Sequence, residues 1–126
     1  MSKLNIQQKL SKFKKHVTHF SEQLKYQVVQ EQEVIVGGTI LNIVPPVDEE
    51  FPMYIVILDD LVGQTHVFVT EEIMNTFMDQ FQIGQDVFIE GFVNIISRRI
   101  QGKEKRDVSV FAYDVKDFRK NGDNIS

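Results

Sequence analysis

Near residue 33 the spacing of apolar side chains changes from a helical to a two-residue period, so the chain must fold as two unlike parts. Before the change, Ile6, Leu10, Phe13, Val17, Phe20 and Leu24 recur at intervals of four, three, four, three and four. That pattern is one apolar stripe on a helix, with Lys9, Lys12, Lys14, Lys15 and Lys25 spread over the remainder. It predicts an amphipathic helix over residues 3–28, with Ser2 a weakly placed cap. A stripe carrying two Phe needs cover. Its own domain, a second copy of the chain or another protein can each supply it, and the stripe is too short for an independent coiled coil.

After the change the pattern is that of strands. Residues 33–44 form a long β-prone run that ends at Pro45-Pro46, and residues 53–58 form a second. Asp59-Asp60-Leu61-Val62-Gly63 turns the chain into a third strand over 65–69. Thr70 then caps a helix expected over 70–81, with Glu71 and Glu72 in its first turn, where the helix dipole favours acids. Ile73, Phe77 and Phe81 give it an apolar side. Strands over 86–96 and 108–115 follow, joined by a basic loop from Arg98 to Arg106 that contains Gly102. Residues 119–126 read as a flexible polar tail.

Alternation assigns the two faces. Val34, Val36, Gly38, Ile40, Tyr54, Val56, Leu58, Val67, Val69, Val87, Ile89, Gly91, Val93, Val108, Val110 and Ala112 fall inward. Ile35, Leu41, Ile55, Ile57, Phe68, Phe88, Phe92, Phe111 and Tyr113 fall outward, and some of these need the N-terminal helix over them, because so many bare apolar groups would aggregate.

Three strands, a helix and two more strands is the order of an OB-fold, a small five-stranded barrel. The runs Val34-x-Val36-x-Gly38-x-Ile40, Met53 to Gly63 with its Asp59-Asp60-Leu61-Val62-Gly63 turn, and Val87-x-Ile89-x-Gly91-x-Val93 agree in order and position. Residues 33–118 thus resemble the OB-fold nucleic-acid-binding family, which includes the anticodon-binding domains of class II aminoacyl-tRNA synthetases and the OB module of bacterial replicative polymerase alpha subunits. The resemblance implies an all-β domain, a five-stranded barrel with a helix between strands three and four, preceded here by the N-terminal amphipathic helix. It also implies a binding face on the second and third strands and the loops around them. The second-strand position that carries a stacking aromatic in the family is Ile55 here. Phe68, with His66 two residues before it on the same face, is the better platform, and Asn42 and Thr39 are candidates for hydrogen bonds to bases. Arg98, Arg99, Lys103, Lys105 and Arg106 are the candidates for phosphate, Arg above all, because its guanidinium fork matches phosphate geometry.

The charge is sorted along the chain. Residues 31–94 hold twelve acidic side chains and no Lys or Arg, whereas the first thirty residues hold six Lys against Glu22 alone. Such segregation allows basic parts to meet a phosphate chain while the middle repels it, or lets oppositely charged regions find each other. Asp48, Glu49, Glu50, Asp59 and Asp60 surround the expected binding face and weaken nonspecific attraction to nucleic acid.

There is no cysteine, so thiol chemistry and disulfides are excluded. His16, His19 and His66 have no zinc spacing, and no nucleophile-elbow or phosphate-loop motif occurs. The expectation is a non-enzyme without cofactor or metal. No signal peptide or apolar span is visible, which points to the cytoplasm and away from the membrane. The leading reading is a single-stranded nucleic-acid-binding accessory protein, for DNA in replication or repair, with RNA also open as a ligand and a replication protein or a second copy as partner. The alternative is an OB-fold scaffold that binds another protein, with little nucleic-acid affinity of its own.

Overall fold

A computed structural model describes residues 5–117. The candidate cap Ser2, residue 118 at the end of the expected domain and the expected tail 119–126 lie outside the described residues. Five strands are formed: β1 (Glu33–Val44), β2 (Met53–Asp59), β3 (Gln64–Thr70), β4 (Asp86–Ile100) and β5 (Lys103–Asp117). They join in the ring order β1-β2-β3-β5-β4, with β1 serving β4 through its first half and β2 through its second.

The expectation of a simple all-β barrel needs correction. The sheet is mixed, because β3 and β5 run parallel, and that seam consists of only His66–Ser109, Val67–Val110 and Phe68–Phe111. The ring therefore closes along one short stretch. Beyond it β4 and β5 continue alone as a two-stranded antiparallel ribbon from Ile95–Val108 to Ile100–Lys103. The segment from Arg98 to Arg106, expected as a loop, is this ribbon's end. Gln101 and Gly102 both take positive φ, 53° and 76°, which makes a two-residue hairpin turn whose twist matches its strands. Backbone pairing sets the ladder, so the density of charge in this segment does not prevent it.

The inward set assigned by alternation packs as one core. Val34, Val36, Ile40, Val56, Leu58, Val67, Val69, Val87, Ile89, Val93, Val110 and Ala112 are all buried, with Tyr54 and Val108 half-buried against them. Gly91 marks a register shift between β4 and β5, where a Cβ would run into the Phe111 carbonyl. A short helix over Glu71–Thr76 packs Ile73 and Met74 against the core, capped by the Thr70 hydroxyl accepting from Ile73 N at 3.2 Å. The helix expected over 70–81 thus stops early. The chain turns after Thr76 so that Phe81 can reach the core, while Met78 and Ile83 stay exposed.

The single helix expected over 3–28 is likewise corrected. It is two helices, α1 (Ile6–His16) and α2 (Ser21–Leu24), and the Glu71–Thr76 helix is α3. Asn5 and Gln8 start α1 with a reciprocal capping box. At Val17 the backbone becomes extended, and Thr18 pairs with β1 instead: Thr18 N donates to the Ile35 carbonyl and Ile35 N donates to the Thr18 hydroxyl. The apolar stripe is accordingly divided. Phe13, Val17 and Phe20 cover Phe88, Ile35 and Leu61 on the outside of the barrel, whereas Leu24 and Val28 enter the main core. Ile6 stays outside both, 70% exposed, and Leu10 is half-buried.

Phe13 is fully buried, edge-on to Phe88 at 6.2 Å between ring centroids. Phe13→Ala is expected to cost about 3–5 kcal/mol in urea unfolding, and Ile6→Ala close to nothing. Equal effects of the two would show that α1 is not seated as described.

Candidate nucleic-acid interface

The pairing register places outward side chains in rows across the strands. One row reads Ile55, Phe68, Phe111, Phe92, from β2 through β3 and β5 to β4. Phe68 and Phe111 are 5.1 Å apart at their ring centroids, and Phe51, folded back by the tight turn from Asp48, meets Phe68 edge-on at 5.3 Å. Phe92 lies 5.0 Å from Tyr113. The result is a band of five rings on the outer face. α1 covers Phe88 and Ile35 and leaves this band open, with Phe51, Phe92 and Tyr113 each at least 40% exposed.

The next row reads Asn42, Ile57, His66, Ser109, Asn94. Further along the ribbon the same face carries Ile96 beside Asp107, Arg98 beside Lys105, and Ile100 beside Lys103. Arg98, Lys103 and Lys105 therefore share the face of the aromatic band. Arg99 and Arg106 alternate to the reverse face, where Arg99 is opposite Glu104 and Arg106 donates to the Val28 carbonyl. Arg98 is ion-paired with Asp107.

Between the ribbon, β3 and the segment after α2 is a cleft of about 750 Å³. Among the expected site residues it gathers His66, Phe68, Arg98, Lys105 and Arg106. Asn42 stands two strands away from His66 on the same row, and its side-chain oxygen accepts from the following amide, Ile43 N, at 2.9 Å. Thr39 lies elsewhere. Its hydroxyl bonds Asp86, and Lys9 of α1 reaches both groups at 3.3 Å, so it fastens the helix to the barrel.

The two ends of the face differ in charge. Tyr113 donates to Glu33 and Glu90 at 3.2 and 3.3 Å. Desolvation, then these hydrogen bonds and the two negative charges, holds its phenol above the ordinary tyrosine value. That end is acidic, as is the turn carrying Asp48, Glu49 and Glu50 beside Phe51. The ribbon end is basic.

The segment that walls the cleft is anchored by Asp60, a buried carboxylate. It accepts from Ser21 N at 2.6 Å, Ser21 Oγ at 2.9 Å, Val62 N at 3.1 Å and Gly63 N at 3.0 Å. Asp59 and Asp60, adjacent in sequence, thus serve backbone hydrogen bonding, Asp59 through Leu61 N. No cluster of three or more His, Asp or Glu able to hold a metal occurs among the described residues, and no helix among them is long and apolar enough to cross a membrane.

Phe68 is the one stacking candidate that the sequence singles out, and the structure sets Phe111 beside it. The signal was the outward parity of Phe92, Phe111 and Tyr113 combined with the adjacency of β3 and β5, which puts Phe111 next to Phe68.

No protein-family model matches the chain, and no curated protein does. Solved structures match by fold. Asparaginyl-tRNA synthetase from Pyrococcus horikoshii aligns with a TM-score of 0.58 at 15% identity over 78% of this chain and 21% of its own. This chain thus spans about a fifth of that enzyme's length. A mitochondrial single-stranded DNA-binding protein from S. cerevisiae aligns at 0.57 and 12% identity, over 70% of this chain and 95% of its own. An OBody bound to hen egg-white lysozyme aligns at 0.56 and 17% identity, over 79% and 92%. These likenesses show the fold, that of OB domains.

Asp60→Asn places an amide NH₂ or a neutral oxygen where Ser21 N now donates to a carboxylate. We expect a loss of about 2 kcal/mol or more in unfolding free energy, with Ser21 and Gly63 amides losing hydrogen-exchange protection first. Unchanged protection at Ser21 would show that Asp60 does not hold the segment.

Proposed function

We propose that the outer face of β3, β5 and β4 binds single-stranded nucleic acid, and that the chain acts as a single-stranded DNA-binding accessory protein in replication or repair. One observation carries the reading: a band of partly exposed rings, Phe51, Phe68, Phe111, Phe92 and Tyr113, lies on the same face as Arg98, Lys103 and Lys105. Every base has a π-face, so stacked rings hold bases with little sequence preference, while cations alongside neutralise the backbone. Duplex DNA buries its base faces and cannot use the band. The fold likeness to the yeast mitochondrial single-stranded DNA-binding protein supports this choice of ligand.

In this reading the two chemistries separate along the face. Bases stack on Phe68 and Phe111, and the backbone runs toward the ribbon, away from the acidic end at Glu33 and Glu90. Asp107 on Arg98 and the acids beside Phe51 keep the affinity modest and salt-sensitive.

A second reading, a protein-binding scaffold, draws on those same flanking carboxylates and on the exposed apolar side chains Ile96 and Ile100 of the ribbon. The OBody of like fold binds lysozyme, so the fold tolerates a protein ligand.

Anisotropy with labelled oligo(dT), titrated against salt, separates them. Phe111→Ala, checked for folding by its melting curve, is expected to weaken binding by about 1–3 kcal/mol with the salt slope unchanged. Lys105→Gln is expected to weaken all sequences alike and to reduce the slope by roughly 0.7. Absence of saturable binding at low salt would overturn the nucleic-acid reading in favour of the scaffold.

A further inference from the structure

The far wall of the 750 Å³ cleft comes from outside the barrel. Lys25 and Tyr26, just after α2, line it together with His66, Phe68 and Lys105. Tyr26 is 78% exposed, and its ring has no aromatic partner among the described residues. Its backbone is nevertheless fixed. Leu24 before it and Val28 after it are both buried in the main core, Tyr26 N donates to the Gln23 carbonyl at 3.2 Å, and Arg106 of the ribbon bonds the Val28 carbonyl. An exposed ring on a pinned backbone loses little entropy when a planar partner stacks on it.

The charges around the cleft are unequal in availability. Arg98 is held by Asp107 and Arg106 by Val28, whereas Lys105 has no ion pair among the described residues and Lys25 has only a long one, 3.9 Å from Glu22. Glu104 and Asp107 also line the cleft. Two weakly paired ammonium groups, an exposed ring and an opening next to Phe68 suit one phosphodiester and its base better than a second protein.

We propose that this cleft continues the nucleic-acid site: a strand stacked on Phe68 and Phe111 passes into it, places a phosphate between Lys25 and Lys105, and stacks a base on Tyr26. The N-terminal segment is then part of the binding site as well as the cover of the barrel. This rests on the single-strand reading above. The distance involved sets the test. From Phe111 to Lys105 is six residues of β5, about 20 Å at the rise of a strand, so a strand that fills both the aromatic band and the cleft must be longer than one that stacks on the band alone.

The experiment compares oligo(dT) of about four and about sixteen nucleotides, the range of sites found on single OB folds, against the full chain and its Tyr26→Ala and Lys25→Gln variants. Both substitutions fall on exposed side chains, and melting curves confirm that the variants fold. Tyr26→Ala is expected to weaken the long oligonucleotide about ten-fold and to leave the short one unchanged. Lys25→Gln is expected to lower the salt slope for the long one only. If Phe111→Ala weakens both lengths while the Tyr26 and Lys25 variants match the parent at both, the cleft is not used and this inference fails alone. If the parent binds neither length, the single-strand reading itself fails.

Discussion

The short parallel seam between β3 and β5 is the contact on which the rest depends. Its three pairs close the ring of strands, and the same pairs bring Phe68 beside Phe111 and His66 beside Ser109. Core and aromatic face are therefore set by one register. The inward member, Val67–Val110, is fully buried, and the outward members make the face. A slip of one residue would exchange those roles and bury the rings. Gly91 protects the register from the other side, because only a residue without Cβ lets β4 pass so close to the Phe111 carbonyl.

The sorting of charge along the sequence has an internal use. Lys9 of α1 meets Asp86 and Thr39 on the barrel, and Lys116 lies near Glu90 and Asp114. Asp60 is consumed by four hydrogen bonds, and Glu33 and Glu90 by Tyr113. Much of the acidic middle is thus spent on holding the chain together. What remains on the outer face is basic at the ribbon and acidic at the opposite edge, so the two ends of the face differ in electrostatic potential.

Strand order and the inward set were legible because burial on one face forces a two-residue period, and Val34 to Ala112 obey it. The break at Val17 was not. The stripe continues in helical register through Phe20 and Leu24, since the barrel wants apolar groups there whichever way the backbone turns. Only the pairing of Thr18 with Ile35, which is tertiary, interrupts the helix. The ribbon was misjudged for a related reason: Arg98 to Arg106 has the composition of a solvated loop, while ladder formation depends on backbone groups and on a two-residue turn at Gln101-Gly102. The outward parity of Phe68 and His66 and the basic cluster holding Arg98 and Lys105 were legible, and the fold brings the four to one cleft. The aromatic band was not legible, because it needs Phe111 and Phe92 on two other strands to be neighbours of Phe68. Thr39 shows the opposite case, a strand-surface hydroxyl with a structural partner in α1 that no local pattern announces.

The central claim is that a single strand lies over the outer face of β3, β5 and β4 and reaches the ribbon. Amide chemical-shift mapping with unlabelled oligo(dT) tests it most directly. The account predicts shifts at His66, Phe68, Asn94, Arg98, Lys105, Ser109 and Phe111 that saturate together, with Phe13 of α1 and Phe88 and Asp86 beneath it unmoved. Shifts centred on α1, or none on the outer face at saturating oligonucleotide, would contradict it.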